Sequence, residues 1–174
     1  MKNLLFTTFI ILFAFFNSFG QESLSIGAEG IVKPIVVEVQ DKTAEELYNK
    51  ALNWVQETYK NPDAVLKTKL INEKIRINGF MDNAWTYNGL SFDMSYNVEV
   101  SFKDGRYRLE FIITEFTDNG KAVGHKKKHL AKEDGSPKFG YKNSVITINE
   151  SMNSIAQSFY NYITGANESK TDDW

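Results

Sequence analysis

Between Phe92 and Ile113 apolar and polar residues alternate with almost no exception, and that pattern limits what the chain can become. Phe92, Met94, Tyr96, Val98, Val100 and Phe102 are interleaved with Asp93, Ser95, Asn97, Glu99 and Ser101. After Asp104-Gly105, the residues Tyr107, Leu109, Phe111 and Ile113 alternate with Arg106, Arg108, Glu110 and Ile112. A strand gathers such a set on one side, whereas a helix would scatter it around its circumference. Burying the first arm's six apolar side chains offers on the order of 10 kcal/mol. That outweighs any local helical preference. Asp-Gly is the dipeptide a type I′ turn favours, so the two arms read as an antiparallel hairpin. A slip of one residue in its pairing would turn the whole apolar stripe to water.

The other elements fall around this hairpin. Ile31 to Val39 (IVKPIVVEV) is β-branched and predicts a first strand, with Pro34 marking an edge or a strand start. Asp41 to Tyr59 predicts a helix. Thr43 and Glu46 form a capping box, and Ala44, Leu47, Tyr48, Ala51, Val55 and Tyr59 recur at helical spacing, widened by Leu52 and Trp54. Asn61-Pro62 predicts its end. Leu70 to Phe80 reads as one strand or two short ones, with Ile71, Ile75 and Ile77 on one face. Gly79 to Gly89 (GFMDNAWTYNG) reads as an aromatic-rich loop. Asn143 to Ile163 predicts a closing helix through Val145, Ile148, Met152, Ile155, Phe159 and Ile163, with Gly165 as its C-cap.

The N-terminus has the form of a secretion signal. Lys2 is followed by an uncharged run from Leu4 to Phe16, and Ser18 and Gly20 stand at −3 and −1 of a cleavage point before Gln21. As a helix the run would rise only about 20 Å, too short for the hydrocarbon core of a bilayer. The expected product is soluble and exported to the periplasm, cell surface or medium, with no transmembrane segment after cleavage. Residues 1–20 are the signal peptide, 21–30 a linker, 31–164 a single domain and 165–174 a flexible tail. Losing Lys2 moves the formal charge from −2 to −3, a balance that argues against a nucleic-acid partner. The chain has no cysteine, hence no disulfide, thiolate nucleophile or thiol metal site.

The order is strand, helix, a meander of three or four strands, a polar excursion and a helix. It predicts a two-layer α+β domain: a curved antiparallel sheet with two helices packed on one face. Asp93, Ser95, Asn97, Glu99, Arg108 and Glu110 would line the other, wet face. The helix ELYNKALNWVQETY, with Leu47, Tyr48 and Trp54, and the hairpin YNVEVSFKDGRYRLEFIITEF resemble an exported domain-of-unknown-function family of Bacteroidota-type bacteria with a TATA-binding-protein-like fold. The resemblance covers roughly residues 31–116 and implies a fold and a compartment, but no site. Nor does it imply DNA binding, because the exposed sheet face lacks a basic stripe and paired intercalating Phe residues.

No catalytic motif is present, neither G-x-S-x-G, S-x-x-K, a P-loop nor H-E-x-x-H. No cofactor is expected, and no metal: His125 and His129 are the only histidines, with Lys126, Lys127 and Lys128 between them. Residues 117–143 form a polar excursion with seven basic and three acidic side chains, which leaves the remainder of the mature chain at −7. Its lysines 126–128 are candidate contacts for an acidic glycan or another anionic envelope surface. Trp85 and Tyr87, read as loop aromatics, are candidate contacts for a ligand or partner. The function expected is a non-catalytic envelope protein that binds an envelope protein or glycan. The alternative is a hydrolase of envelope polymers acting through carboxylates that the sequence cannot place.

Overall fold

The computed structural model describes residues 22–166, so the expected signal peptide and residues 167–174 of the tail lie outside the described part. Strands β1 (Ile35–Glu38), β2 (Leu66–Leu70), β3 (Lys74–Tyr87), β4 (Leu90–Lys103), β5 (Arg106–Asp118) and β6 (Lys121–Ala122) form one antiparallel sheet. Its order is β1-β5-β4-β3-β2, with β6 also on β5. Helices α1 (Ala44–Thr58) and α3 (Lys142–Thr164) cover one face, and α2 (Pro62–Val65) is a single turn. The hairpin pairs as its alternation requires, Val98 opposite Phe111 and Val100 opposite Leu109, with all four buried.

Each helix is set by a sequence signal. In α1 the Glu46 amide donates to the Thr43 hydroxyl at 3.2 Å, and the Thr43 amide donates to the Glu46 carboxylate at 2.8 Å. Its stripe of Leu47, Tyr48, Ala51, Trp54 and Val55 is buried. Helix α3 buries all six residues of its apolar spacing and ends on Gly165, whose φ of 74° is the left-handed conformation that glycine adopts without strain. The helices meet where Trp54 sets its ring against Phe159 and donates its Nε1–H to the Ser158 hydroxyl at 3.1 Å.

Five expectations are corrected. The first strand starts at Ile35, after Pro34; Val32 makes only an isolated bridge to Ile26. α1 ends at Thr58, ahead of Asn61-Pro62, and that dipeptide opens α2 instead, with the Asn61 side chain accepting from the Ala64 amide. Ile71 sits in the β2–β3 turn and is exposed, leaving Ile75 and Ile77 as the core pair. Within the linker read at 21–30, the described residues dock through Leu24 and Ile26. Leu24 and Ile26 are buried, and Asn149 and Asn153, one helical turn apart on α3, hydrogen-bond the backbone of both. Alternating Ser23-Leu24-Ser25-Ile26 carries too few apolar groups to stand out in the sequence, yet enough to lie along a helix.

The fifth correction concerns the hairpin tip. Asp104 does not have a positive φ, so Asp104-Gly105 is not a type I′ turn. Asn88-Gly89 (φ 50° and 80°) and Asn119-Gly120 (48° and 75°) have the two positive φ values such a turn needs. Asp104 instead accepts the Ala44 amide of α1 through Oδ1 at 2.8 Å, satisfying a donor that the helix start leaves free. Asp104→Ala is expected to cost about 1 kcal/mol, the usual loss of a helix cap. A urea titration would show it as a lower midpoint at unchanged slope.

On the open face, Glu99 and Glu110 stand directly opposite in register. Like charges so placed destabilise a sheet. Here Arg76 and Lys74 pair with Glu99, and Arg108 pairs with Glu110. Burial pushes the Glu99 carboxyl up, but the hydrogen bonds from Arg76 and Lys74 outweigh it and hold the group below the usual carboxylate range.

Candidate functional site

The site grows out of a gap in the sheet. On the side of β5 away from β4, β1 pairs only with residues 106–109 and β6 only with 117 and 118. Both partners are short for readable reasons. Pro34 lacks an N–H and precedes β1, and the Asn119-Gly120 turn sends β6 back for two residues, after which the Val123 amide makes one more bond, to the Phe116 carbonyl. Between them lies a cleft of about 850 Å³. Its floor is the β5 segment from Ile112 to Phe116, and its flanks are Glu29 and Ile31 on one side and Ala122, Val123 and His125 to Lys128 on the other. The flanks touch. A Cβ on Gly30 would fall onto the Lys127 carbonyl, so only glycine lets these two segments meet.

The basic segment is held in place by its apolar and aromatic residues. Leu130 and Ala131 are buried in the main core. The His125 ring packs on Trp85, Tyr87, Phe92 and Tyr141, and its Nδ1 lies 2.8 Å from the Tyr141 hydroxyl. Burial, followed by the neighbouring Tyr87, pushes the Tyr141 hydroxyl up in pKa. Residues 117–143 therefore contain the end of β5, β6, a 3₁₀ turn at Lys127–His129 and the start of α3. The histidines do not share a helical face: His129 accepts from the Lys126 amide through Nδ1, while His125 faces the aromatic cluster.

The candidate residues divide. Lys126, Lys127 and Lys128 are exposed and stand together on the cleft's flank. Trp85 is not a surface aromatic. It lies in β3 with 0% exposure, between Phe92 at 4.9 Å and Phe116 at 4.5 Å, and donates its indole N–H to the Asp93 carbonyl. Tyr87 is half-buried, stacked on Tyr141. The expected loop at 79–89 is strand as far as Tyr87, because a bulge between Met81 and Trp85, with Asn83 at φ 51°, absorbs its irregular residues; only Asn88-Gly89 is turn. Hydroxyls of Ser144, Thr147 and Ser151 on α3 then bond the backbone from Ala84 to Thr86. The β5 edge and Ile31 escaped the sequence reading. The Asn-Gly at 119–120 was the available sign, since it announces a strand turning back too soon to cover its neighbour.

The cleft offers apolar contacts from Ile31, Ile113, Phe116 and Val123, ammonium groups from three lysines, and carboxylates from Glu29 and Glu115. That set suits recognition of an anionic, partly apolar ligand.

Residues 35–117 match a protein family described as a domain of unknown function (DUF4468) with TBP-like fold. The protein carries a DUF4468 domain. The match ends at the residue where β5 meets β6, so the cleft lies at the border of the family segment. Two solved structures share the fold. One is a TBP-like protein from Parabacteroides distasonis, at 14% identity and TM-score 0.56, with 82% of this chain and 96% of that chain covered. The other is a DUF4468 family protein from Bacteroides ovatus, again at 14% and 0.56, with 86% and 93% covered. No curated protein matches the chain. At this identity the likeness carries the fold alone. It agrees with the expected two-layer architecture, and the family match agrees with the expected domain of unknown function with a TATA-binding-protein-like fold.

Proposed function

We propose that the protein is exported and serves in the envelope as a non-catalytic binding protein, with the cleft at the open edge of β5 as its binding site. The observation that carries this reading is the position of Lys126, Lys127 and Lys128 beside an unpaired strand edge whose floor is partly apolar. The leader-like pattern of residues 1–20 supports export. Among the described residues no helix is long and apolar enough to cross a membrane.

Two measurements test the proposal. Cell fractionation of the full chain should recover it outside the cytoplasm, shortened by the mass of residues 1–20; cytoplasmic protein of full mass would refute export. The triple variant K126E/K127E/K128E should melt within about 0.5 kcal/mol of the parent, because the three side chains are exposed. It should lose retention of envelope components that the parent protein holds. Unchanged retention would remove the cleft from the proposal. One observation favours a second reading, hydrolysis of an envelope polymer: Glu29 and Glu115 both line the cleft. Polymer cleavage by the parent that disappears in E115Q would replace binding with catalysis.

A further inference from the structure

We infer that the gap in the β5 edge receives a short, extended, acidic peptide segment of a partner protein, added as a strand between β1 and β6. This rests on the binding reading above and names the class of partner. β5 is paired with β4 on its inner side from Arg106 to Thr117, except at a bulge that leaves Thr114 without a partner. On its outer side the ladder stops at Leu109 and resumes only where the Val123 amide donates to the Phe116 carbonyl. From Glu110 to Glu115 no strand of the described residues pairs with that side. Six residues of strand extend about 20 Å. Roughly half of their backbone N–H and C=O groups point away from β4, since an antiparallel strand directs these groups alternately to its two sides, with the alternation shifted by one residue at the Thr114 bulge. Such a row is a template for a further strand.

The surroundings narrow the occupant. Ile112 is half-buried and Thr114 and Glu115 are exposed along the edge, while Ile31, 59% exposed, and Val123 stand on the flanks. An added strand would therefore meet apolar side chains on both flanks. Charge sets its sign. Three lysines and two glutamates line the cleft, and Glu110 at the end of the edge is paired with Arg108, in a chain that is acidic outside residues 117–143. An acidic segment is attracted and a basic one repelled. A glycan would make no use of a row of peptide groups in strand register. A second copy of this chain is a poor fit. Its own β5 edge would be framed by the same flanks, joined at Gly30 and Lys127, and its lysines would face like charge.

The probe is an acetylated, amidated heptapeptide of alternating valine and glutamate, titrated into the purified protein by calorimetry and by amide-exchange NMR. Expected are binding that weakens with salt, slowed exchange of edge amides between Glu110 and Glu115, and loss of binding when alternate peptide nitrogens are N-methylated. K126E/K127E/K128E should weaken binding at least about tenfold. Equal binding of the N-methylated peptide would overturn strand addition, and equal binding of a valine–lysine peptide would overturn the acidic partner. A concentration-dependent dimer in sedimentation, with slowed exchange at the same edge amides, would put a second copy there instead. If no peptide binds while the triple variant still loses envelope retention, the strand inference falls and the binding reading stands.

Discussion

Trp85→Ala should cost about 3–5 kcal/mol, the usual penalty for emptying a buried aromatic site. For a domain whose net stability is about 5–15 kcal/mol, that is a large share of the whole. The ring is fully buried between Phe92 and Phe116 and touches His125, so its removal opens a cavity under the basic segment as well as in the sheet. The melting temperature should fall by roughly 10 °C or more. A role in ligand contact alone would predict the reverse, an unchanged melt with weakened binding. Thermal unfolding of this one variant decides between the two.

The second large effect is expected at Gly79. This residue pairs with Tyr96 across β3 and β4, and the Tyr96 ring lies over it where a side chain would otherwise stand. Tyr96 has little room to move. It is 3% exposed, stacked on Phe111 at 4.9 Å, with its hydroxyl 3.2 Å from that of Tyr59. Gly79→Ala therefore forces the ring off its neighbours and should cost about 1–3 kcal/mol, as overpacking of a tight core does. Denaturant unfolding of Gly79→Ala beside the double variant with Tyr96→Leu isolates the clash: the second substitution should recover part of the loss. If Gly79→Ala is neutral, the ring is not confined as described.

What the sequence revealed depended on how far each signal could be read locally. The β4–β5 alternation and the stripes of α1 and α3 are periodic over ten residues or more, and each settles its own element and buried face. Gly79 to Gly89 is dense in Asn, Asp and Gly and so resembles loop. Its strand character comes from partners 58 to 67 positions away, the hydroxyls of α3, which no local pattern announces. Trp85 was misplaced for the same reason. The three lysines were legible as a charge cluster. The cleft they flank was not, because it is made by two strands being too short, a property of the sheet and not of any residue in it. Residues 117–143 looked like an excursion since their anchors, Val123, His125, Leu130, Ala131 and Tyr141, are spaced without a period.

Asp104 has a consequence for the order of assembly. The first turn of α1 is completed by a carboxylate 60 positions further along the chain, at the tip of the hairpin. Until β4 and β5 have closed, that amide has only water to bond. The helix should therefore fray at its start in any intermediate that lacks the hairpin, and both should mature in one cooperative step. During synthesis, α1 would leave the ribosome well before the group that finishes it.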